Sequence, residues 1–474
     1  MALHQAEMLI AGEWRMRDAR PIINPFDESE AGHRAHANAS DLKDAVASAV
    51  EAWPRWLALG PNGRGAILLK AAAHLRSRME ALAKIVSLEQ GKPVGQARGE
   101  IEYAAAMIEW DAAEGCRLYG RVVPSVPGRQ QIVYRQPIGV VAGFSPWNFP
   151  VSSPTKKISA PLAAGCPVII KPSEQTPGSG TEVVRAFHEA GVPPGVLNLV
   201  YGDPGEISDY LVNHPAVRAV TFTGSVPVGK HLGAMAGAQL KPALLELGGH
   251  APVFVSATAD LRRVAELSVS TKAINAGQVC VSPTRFFVEE QAYEEFSGHM
   301  ASLAKSLRYG AGLDPATELG PLSSERRRNA VQELIGDARA AGARLLAGGS
   351  TLGSRGFGHS LTVLGDVPDQ ARAMHEEPFG PIALLVRVRN VEEAVERANR
   401  VEYGLTGYAF TRSAHDMNVL AEQLQVGNLG INQFTAAVLE APFGGVKNSG
   451  IGRSGGIEGL QNFTDIKTVL TRFD

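Results

Sequence analysis

The sequence has few cysteines, no long apolar run and almost no excess of charge. Its 474 residues include three cysteines, Cys116, Cys166 and Cys280, and an odd, widely spaced set predicts no disulfide framework. No uninterrupted apolar stretch of about 18 residues is present, so no transmembrane helix is expected. Lysine and arginine number 46 against 48 acidic residues, which leaves no strong field for nucleic acid or an anionic membrane. These features predict a protein of the reducing cytoplasm.

The sequence also shows no sign of a signal peptide, a metal site or a nucleic-acid-binding basic patch. The N-terminal stretch MALHQAEMLIAGEW lacks a charged segment followed by an apolar run, so no signal peptide is expected. The close histidine pair His33 and His36 has no cysteine or carboxylate cluster beside it, and we expect no metal site. The basic run 326–328 follows Glu325 in a helical context, which favours a solvated helix face.

Short apolar runs alternate with amphipathic segments through most of the chain. Helical spacing of apolar residues predicts helices over 181–191 and 391–398. Strands are predicted at 138–144, 166–172, 196–202, 219–224, 251–255 and 381–388. The alternation predicts an α/β fold with a parallel sheet covered on both faces. The length fits two or three domains, but no repeat or low-complexity linker marks their limits.

In such folds the chemistry collects where strands end and helices begin. The segment 224–231 follows a strand and matches a P-loop at both glycines and at Lys230. His231 stands where that pattern requires the Ser or Thr that ligates Mg²⁺, so a nucleotide triphosphatase is retained only as an alternative from another class. The turn at a helix N-terminus still offers free N–H groups to a phosphate.

Three other strand ends carry polar residues. Lys171 and Glu174 suit a ribose, because the ammonium donates, the carboxylate accepts, and the carboxylate repels a 2′-phosphate. Asn148 follows a strand within FSPWNFP, although a lone asparagine there is usually only a turn residue. Glu246 precedes two glycines, and burial is expected to raise its pKa toward the range of a general base.

Cys280 lies in NAGQVCVSPTR, between two valines. A cysteine with such neighbours is usually a small buried hydrophobe, and the segment alone does not decide its role. Motifs in the rest of the chain decide the role of Cys280. From about Ile10 to the C-terminus the chain resembles the aldehyde dehydrogenase superfamily. The matching motifs are PWNFP (146–150), KPSEQTP (171–177), FTGSVPVG (222–229), LELGG (245–249), GQVC (277–280), EEPFGP (376–381) and PFGGVKNSGIGR (442–453).

The resemblance implies oxidation of a small-molecule aldehyde to the carboxylic acid with NAD, or with NADP as an alternative cofactor. Cys280 would be the nucleophile that forms a thiohemiacetal and then a thioester. The Asn148 amide and the Cys280 N–H would stabilise the oxyanion, Glu246 would activate the hydrolytic water, and Lys157 would relay its proton. The implied cofactor residues are Trp147, Lys171, Glu174, Gly224, Ser225, Gly229, Glu377 and Phe379.

The family fold implies three parts. A Rossmann-type NAD-binding domain would comprise 1–118 and 138–247, and an α/β catalytic domain 248–447. A β-ribbon oligomerisation flap would comprise 119–137 with 459–474. Exposed β-ribbons normally pair with another subunit, which predicts a homodimer or homotetramer.

The chain departs from the family pattern at the proton relay. Many members carry a glutamate directly after GxGR, but Ser454 follows here, which predicts slower turnover or a different pH profile. An inactive structural paralogue is disfavoured because Cys280, Glu246 and Asn148 are all present.

The substrate positions also depart from one branch of the family. The pattern is most similar to succinic-semialdehyde, betaine-aldehyde and lactaldehyde enzymes. Where succinic-semialdehyde specialists hold the carboxylate with two arginines and a serine, this chain has Lys156, Ile274 and Ala437. A lysine lacks the bidentate clamp of arginine, so larger, less charged aldehydes are expected to serve at least as well. Lys156 could equally extend to the tunnel mouth. Succinic-semialdehyde oxidation is the alternative specific activity.

Overall fold

Two large sheets, each with its own hydrophobic core, form the body of the computed structural model, which describes residues 4–473. Residues 1–3, part of the predicted NAD-binding domain, and residue 474, part of the predicted flap, lie outside the described residues. The α-helices span Ala39–Ala58, Gly60–Ser77, Met79–Gln90, Val94–Gly115, Ser152–Ala164, Pro177–Glu189, Pro204–Asn213, Val226–Ala238, Leu261–Ala273, Tyr293–Ser306, Glu325–Ala340, Val391–Asn399, Ala414–Gln423 and Gly456–Gln461.

The first sheet has eight strands, and its middle strands are parallel. Its register pairs Thr223 with Glu246 and Phe144 with Lys171, so the carboxyl ends of the parallel strands meet at one edge. Across the sheet the strands are Gly450–Ile451, Ala243–Glu246, Val217–Thr223, Val140–Phe144, Val168–Lys171, Leu197–Leu199, Met8–Ile10 and Glu13–Arg15. The four strands predicted between 138 and 224 are confirmed.

The second sheet has seven strands, and its edge strand Arg344–Ala347 is antiparallel to its neighbour. The order is Arg344–Ala347, Thr362–Gly365, Ile382–Val388, Arg285–Glu289, Pro252–Val255, Thr406–Phe410 and Asn428–Ile431. The strands predicted at 251–255 and 381–388 are confirmed, and together the two sheets confirm the α/β class. Gly248 and Gly249 lie in the short connection between the two cores.

A three-stranded antiparallel ribbon projects from this body. The strand Thr464–Arg472 pairs with Arg129–Pro137, which also pairs with Arg121–Val123, as predicted for the flap. A smaller three-stranded sheet consists of His4–Ala6, Glu30–Arg34 and Arg20–Ile23. Two two-stranded sheets pair Thr351–Leu352 with Gly358–His359 and Tyr403–Gly404 with Val446–Lys447. Within residues 4–473, no helix combines the length and apolarity that a bilayer crossing requires.

Candidate active site

Cys280 lies on a loop that borders two cavities. A 3₁₀ helix, Ile274–Gly277, precedes it, and Asn275, Ala276 and Gly277 all have positive φ, at 50°, 52° and 71°. A Cβ on Gly277 would lie 2.2 Å from the Gly380 carbonyl oxygen, so this sharp left-handed turn requires glycine. The first cavity has a volume of ≈ 360 Å³ and the second of ≈ 350 Å³, and Cys280 lines both. A group in either cavity can therefore meet the same sulfur.

The resting thiol of Cys280 is protonated at neutral pH. Burial and the carboxylates of Glu377 and Glu246 raise its pKa to about 12, although Lys156 acts in the opposite direction. The backbone also approaches closely, because a Cβ on Gly249 would lie 2.4 Å from the Cys280 carbonyl oxygen. The nucleophile is therefore held rigidly but needs a base to remove its proton.

Asn148 is buried beside this loop. Its Nδ2 donates to the Gln278 carbonyl oxygen at 3.0 Å, and its own carbonyl oxygen accepts from Lys92 Nζ at 2.9 Å and from Asn275 Nδ2 at 2.7 Å. An amide carries a second N–H, and no acceptor takes the Cys280 backbone N–H within the described chain. The pair can therefore supply two donors to an oxyanion, as predicted.

Glu246 ends its strand inside a set of four donors. Its Oε1 is 3.1 Å from Lys156 Nζ and also accepts from the Ser454 hydroxyl. Its Oε2 is 3.1 Å from Lys157 Nζ and 2.6 Å from Thr223 Oγ1. The sequence predicted Lys157 as a relay partner, but it missed Thr223 and the contact between Lys156 and Glu246. Lys156 also lines the second cavity, in line with the substrate position expected for it.

The expected rise in the pKa of Glu246 is wrong for this arrangement. Burial does act to raise the pKa, but the ammonium groups of Lys156 and Lys157, with the hydroxyls of Ser454 and Thr223, hold it well below its usual range. The carboxylate in turn raises the pKa of Lys156 against the effect of burial. An ionised carboxylate is available, but it must leave some of these partners before it can accept a proton.

The first cavity is lined by most of the predicted cofactor residues. The rings of Trp147 and Phe379 meet edge to face, with centroids 5.6 Å apart. Phe379 has a φ of 42°, a costly conformation for a bulky residue, which the surrounding packing must maintain. Predicted residues in the lining are Trp147, Asn148, Gly224, Ser225, Cys280, Glu377 and Phe379. The structure thus brings together residues that are far apart in the sequence.

The turn after strand Val217–Thr223 suits a phosphate. Ser225 is the N-cap residue of helix Val226–Ala238, yet its side chain caps no backbone N–H, so the first amides of the helix are not occupied by it. Gly229 lies one turn further and packs against Leu247. Since Gly224 and Ser225 line the first cavity, these amides and the aromatic pair fit a dinucleotide.

Lys171 and Glu174 form a close ion pair at the end of strand Val168–Lys171. Neither lines the first cavity, although the adjacent Gln175 does. Burial lowers the pKa of Lys171, while Glu174 acts in the opposite direction. The pairing partly neutralises the carboxylate that was expected to repel a 2′-phosphate.

Glu377 is a half-buried carboxylate that also acts on Cys280. Its Oε1 accepts from the Gly249 N–H at 3.0 Å. Burial raises its pKa to about 7, although this N–H, Arg327 and Lys272 act in the opposite direction. Near neutral pH this group therefore exchanges between its protonated and ionised forms.

Of the three arginines at 326–328, Arg326 is exposed, in agreement with a solvated helix face, whereas Arg327 is half-buried. Helix Glu325–Ala340 begins there, with Ser324 as its N-cap, and Arg326 and Arg327 line the first cavity. Arg327 Nε is buried, and nothing within residues 4–473 accepts its hydrogen. The sequence could not distinguish these positions, since which face of the helix meets the first cavity depends on how it packs.

The second cavity has a largely apolar wall. Lys156 is the one cation in its described lining, and Ala437 contributes to the wall as expected. Ile274, by contrast, is 38% exposed and lies outside this lining. The apolar and aromatic lining residues are Tyr103, Met107, Phe149, Leu247, Val279, Val281, Leu405, Ala437 and Phe443.

The family model described as the aldehyde dehydrogenase family matches residues 14–469. The chain belongs to this family. An aldehyde dehydrogenase oxidises an aldehyde to the carboxylic acid with NAD or NADP, and this protein is such an enzyme. The family and the activity inferred from the motifs are thereby confirmed.

Similar proteins cover nearly the whole chain. A putative 4-(hydroxymethyl)benzenesulfonate dehydrogenase of Comamonas testosteroni is 43% identical over 97% of both chains. An NADP-dependent succinate-semialdehyde dehydrogenase of Escherichia coli is 38% identical over 98% of this chain and 97% of that one. The crystal structure of an NADP-dependent E. coli enzyme superimposes with a TM-score of 0.97 at 37% identity, over 99% and 98% of the two chains. This confirms the aldehyde dehydrogenase fold.

Proposed function

We propose that Cys280, Asn148, Glu246 and Lys157 carry out the oxidation. The observation that carries this proposal is that Cys280 lies where the two cavities meet, so one sulfur can face both cofactor and aldehyde. Residues of the first cavity would hold the dinucleotide, which accepts a hydride when bound. The amides at Ser225 suit its pyrophosphate and Glu377 its ribose, while Lys171 and Glu174 would contact the adenosine side.

The reaction begins when a base removes the Cys280 proton and the thiolate adds to the aldehyde carbon. The carboxylates of Glu377 and Glu246 both raise the thiol pKa, but of the two only Glu246 lines the second cavity, where the aldehyde would bind. Glu246 is therefore the candidate base. The new oxyanion accepts from the Asn148 amide and the Cys280 N–H. After hydride loss the thioester remains on Cys280. Glu246 then takes a proton from water as that water attacks, and Lys157 holds the carboxylate in place.

We further propose that the preferred aldehyde has a bulky, largely apolar body. The lining of the second cavity supports this, and Lys156 is already engaged by Glu246. A free carboxylate tail would have to compete with that ion pair. Succinic semialdehyde is therefore expected to be at best a modest substrate.

An aromatic aldehyde that carries a sulfonate is a second candidate. Lys156 borders the second cavity with its side chain 24% exposed, and two positive lysines around one Glu246 carboxylate leave a net positive charge. The similar Comamonas testosteroni protein is named for an aromatic sulfonate. An aromatic body would gain contacts with the apolar wall that the short chain of succinic semialdehyde lacks. Its sulfonate, like a carboxylate tail, would have to compete with Glu246 for Lys156.

A substrate panel tests both candidates. Benzaldehyde, 4-formylbenzenesulfonate, hexanal and succinic semialdehyde are compared by kcat/KM with NAD and with NADP. We expect both aromatic aldehydes to equal or exceed succinic semialdehyde; a tenfold advantage for succinic semialdehyde would reject the apolar preference. Lys156→Met should change kcat/KM for every aldehyde, because Lys156 contacts Glu246. The ratio of kcat/KM for 4-formylbenzenesulfonate to kcat/KM for benzaldehyde removes that shared effect. A fall in this ratio in the variant would show that Lys156 binds the sulfonate.

We also propose the finer assignments of domains, assembly and compartment. The first sheet and its core, 1–118 with 138–247, would bind the cofactor, and 248–447 would be the catalytic domain. The ribbon of 119–137 with 459–474 would join subunits into a homodimer or homotetramer. Exposed apolar residues on it, Val122 at 70% and Leu470 at 70%, support that role. Three free thiols support a reducing cytoplasm.

A further inference from the structure

A third cavity, of ≈ 30 Å³, lies beside two of the groups that hold Glu246. Lys156 and Ser454 both line it, and each contacts a Glu246 oxygen. Another part of its lining comes from Trp110 and Asp111 on helix Val94–Gly115. The third cavity therefore links the surroundings of Glu246 to a carboxylate that the mechanism above does not use.

The polar groups of this lining suit a water molecule. Asp111 is 3% exposed, and its Oδ2 accepts from the Ser159 hydroxyl, whereas no donor in the described chain reaches Oδ1. Trp110 Nε1 is buried, and no group within residues 4–473 accepts its hydrogen. An indole N–H donates and a carboxylate accepts, and a cavity of this kind needs about 10–15 Å³ to hold one water. The third cavity has the volume and the partners for a water.

We propose that Asp111 receives the proton that Glu246 removes from the hydrolytic water, by way of the Ser454 hydroxyl and water in the third cavity. The proposal rests on the proposed role of Glu246 as general base. A serine hydroxyl has one proton and two lone pairs, so Ser454 can accept from protonated Glu246 while it donates onward. Asp111 thus provides the relay carboxylate that is missing at position 454.

The proton balance closes without any further reactant. Water loses one proton to Glu246, its oxygen forms the new bond to the thioester carbon, and the C–S bond breaks with the electron pair left on Cys280. The Glu246 proton moves to Ser454 as the Ser454 proton moves to cavity water, and that water protonates Asp111. Asp111 then releases the proton to bulk solvent. Val438, which is 46% exposed, also lines the third cavity and places it near the surface.

The surroundings of Asp111 suit both acceptance and release. Burial raises its pKa to about 7, and Glu114 on its own helix acts in the same direction. From helix Ser152–Ala164, the Ser159 hydroxyl and the Lys156 ammonium favour the ionised form. Tyr103, a further titratable group near Asp111, lines the third cavity as well. A group that titrates near neutral pH can take up and release a proton in each turnover.

The test measures hydrolysis of the acyl group on Cys280 directly. After a single turnover, rapid quench and mass spectrometry follow decay of the acyl-enzyme in wild type, Asp111→Asn and Trp110→Phe. We expect Asp111→Asn to slow decay about five- to tenfold, with no change in the first-turnover rate of NADH formation. The component of the pH profile of decay near pH 7 should also disappear. Trp110→Phe, which removes one N–H without changing charge, should slow decay about twofold.

Control variants separate the possible failures. Glu102→Gln, on the same helix but paired with Arg76 and not among the charges that act on Asp111, should leave the decay rate unchanged. Unchanged decay and pH profile in folded Asp111→Asn would overturn the relay, as would slow decay whose pH profile keeps its component near pH 7. If Asp111→Asn does not fold, an unchanged decay rate in Trp110→Phe would overturn the proposal. Normal decay in Glu246→Gln would instead refute the general-base role on which the relay rests.

Discussion

Glu246 is a buried carboxylate and Glu377 a half-buried one, both near Cys280, and their protonation differs. Two lysine ammonium groups lie 3.1 Å from Glu246 and, against the effect of burial, keep its pKa below the usual range. Glu377 has a backbone N–H as its close partner, and burial raises its pKa to about 7. Burial alone therefore does not predict the charge of a carboxylate; the number of cations in contact decides it.

The difference in protonation matches the roles proposed for the two carboxylates. Glu246 borders the second cavity, where the base of the proposed mechanism would have to remain ionised until the substrate arrives. Glu377 borders the first cavity, the proposed cofactor site, where a carboxylate that changes charge near neutral pH would alter hydrogen bonding to the cofactor. Cys280 lies between them and has its own pKa raised by both. The predictions below change one member of this trio, or the cofactor site beside it, at a time.

Cys280→Ser should have the largest effect, because it removes the sulfur at which the two cavities meet. We expect the rate of NADH formation to fall by at least about 10⁴-fold, since a hydroxyl is a far weaker nucleophile. NAD binding, measured by calorimetry, should change little, because Trp147, Ser225 and Glu377 remain. Turnover close to wild type in this variant would exclude Cys280 as the nucleophile.

Glu246→Gln should slow hydrolysis of the thioester by about 10²- to 10³-fold. The amide keeps the shape of the side chain but cannot accept the proton of water. Stopped-flow absorbance should then show a burst of NADH followed by slow turnover. If hydride transfer limits the wild-type reaction, no burst need appear, and a kcat close to wild type would contradict the role of Glu246.

The fold and the cofactor side were predictable because their signals are local. Apolar runs that end at glycine or proline marked the strands, the glycine-bounded turn after one strand marked a phosphate site, and the family resemblance placed Ser225 in that turn. The aldehyde dehydrogenase motifs then connected Glu377 and Phe379 to the same site. Each of these inferences depends on residues within a few positions of each other.

The surroundings of Glu246 were not predictable in this way. Lys156 and Lys157 are consecutive on a helix, and the sequence assigned them to different partners, whereas the two carboxylate oxygens contact one lysine each. Asp111 has no local motif, and its proximity to Lys156 and Ser454 arises from the packing of separate helices and the C-terminal segment. Such contacts depend on tertiary structure.

Glu377→Gln tests the other half of the comparison. Glu377 is largely protonated below pH 7 and ionised above it, so its ability to accept from a cofactor hydroxyl should increase as pH rises through about 7. The KM for NAD of the wild type should therefore fall over pH 6–8. In the variant, KM should be raised about five- to tenfold at pH 8, and that dependence should be absent. A wild-type KM that is flat over this range would contradict the assignment.

Glu174→Ser should have the smallest effect, because the carboxylate it removes is already paired with Lys171. A free glutamate would repel a 2′-phosphate strongly, but the adjacent ammonium offsets part of that repulsion. We therefore expect wild type to prefer NAD over NADP in kcat/KM by only about three- to tenfold, and the variant to lose about threefold of that preference. Lys171→Met is the matched change, and it should strengthen the preference for NAD because the carboxylate is left without its cation. Equal efficiency of the two cofactors in wild type would reject the preference itself. An unchanged ratio in both variants would show that the Lys171–Glu174 pair does not discriminate between them.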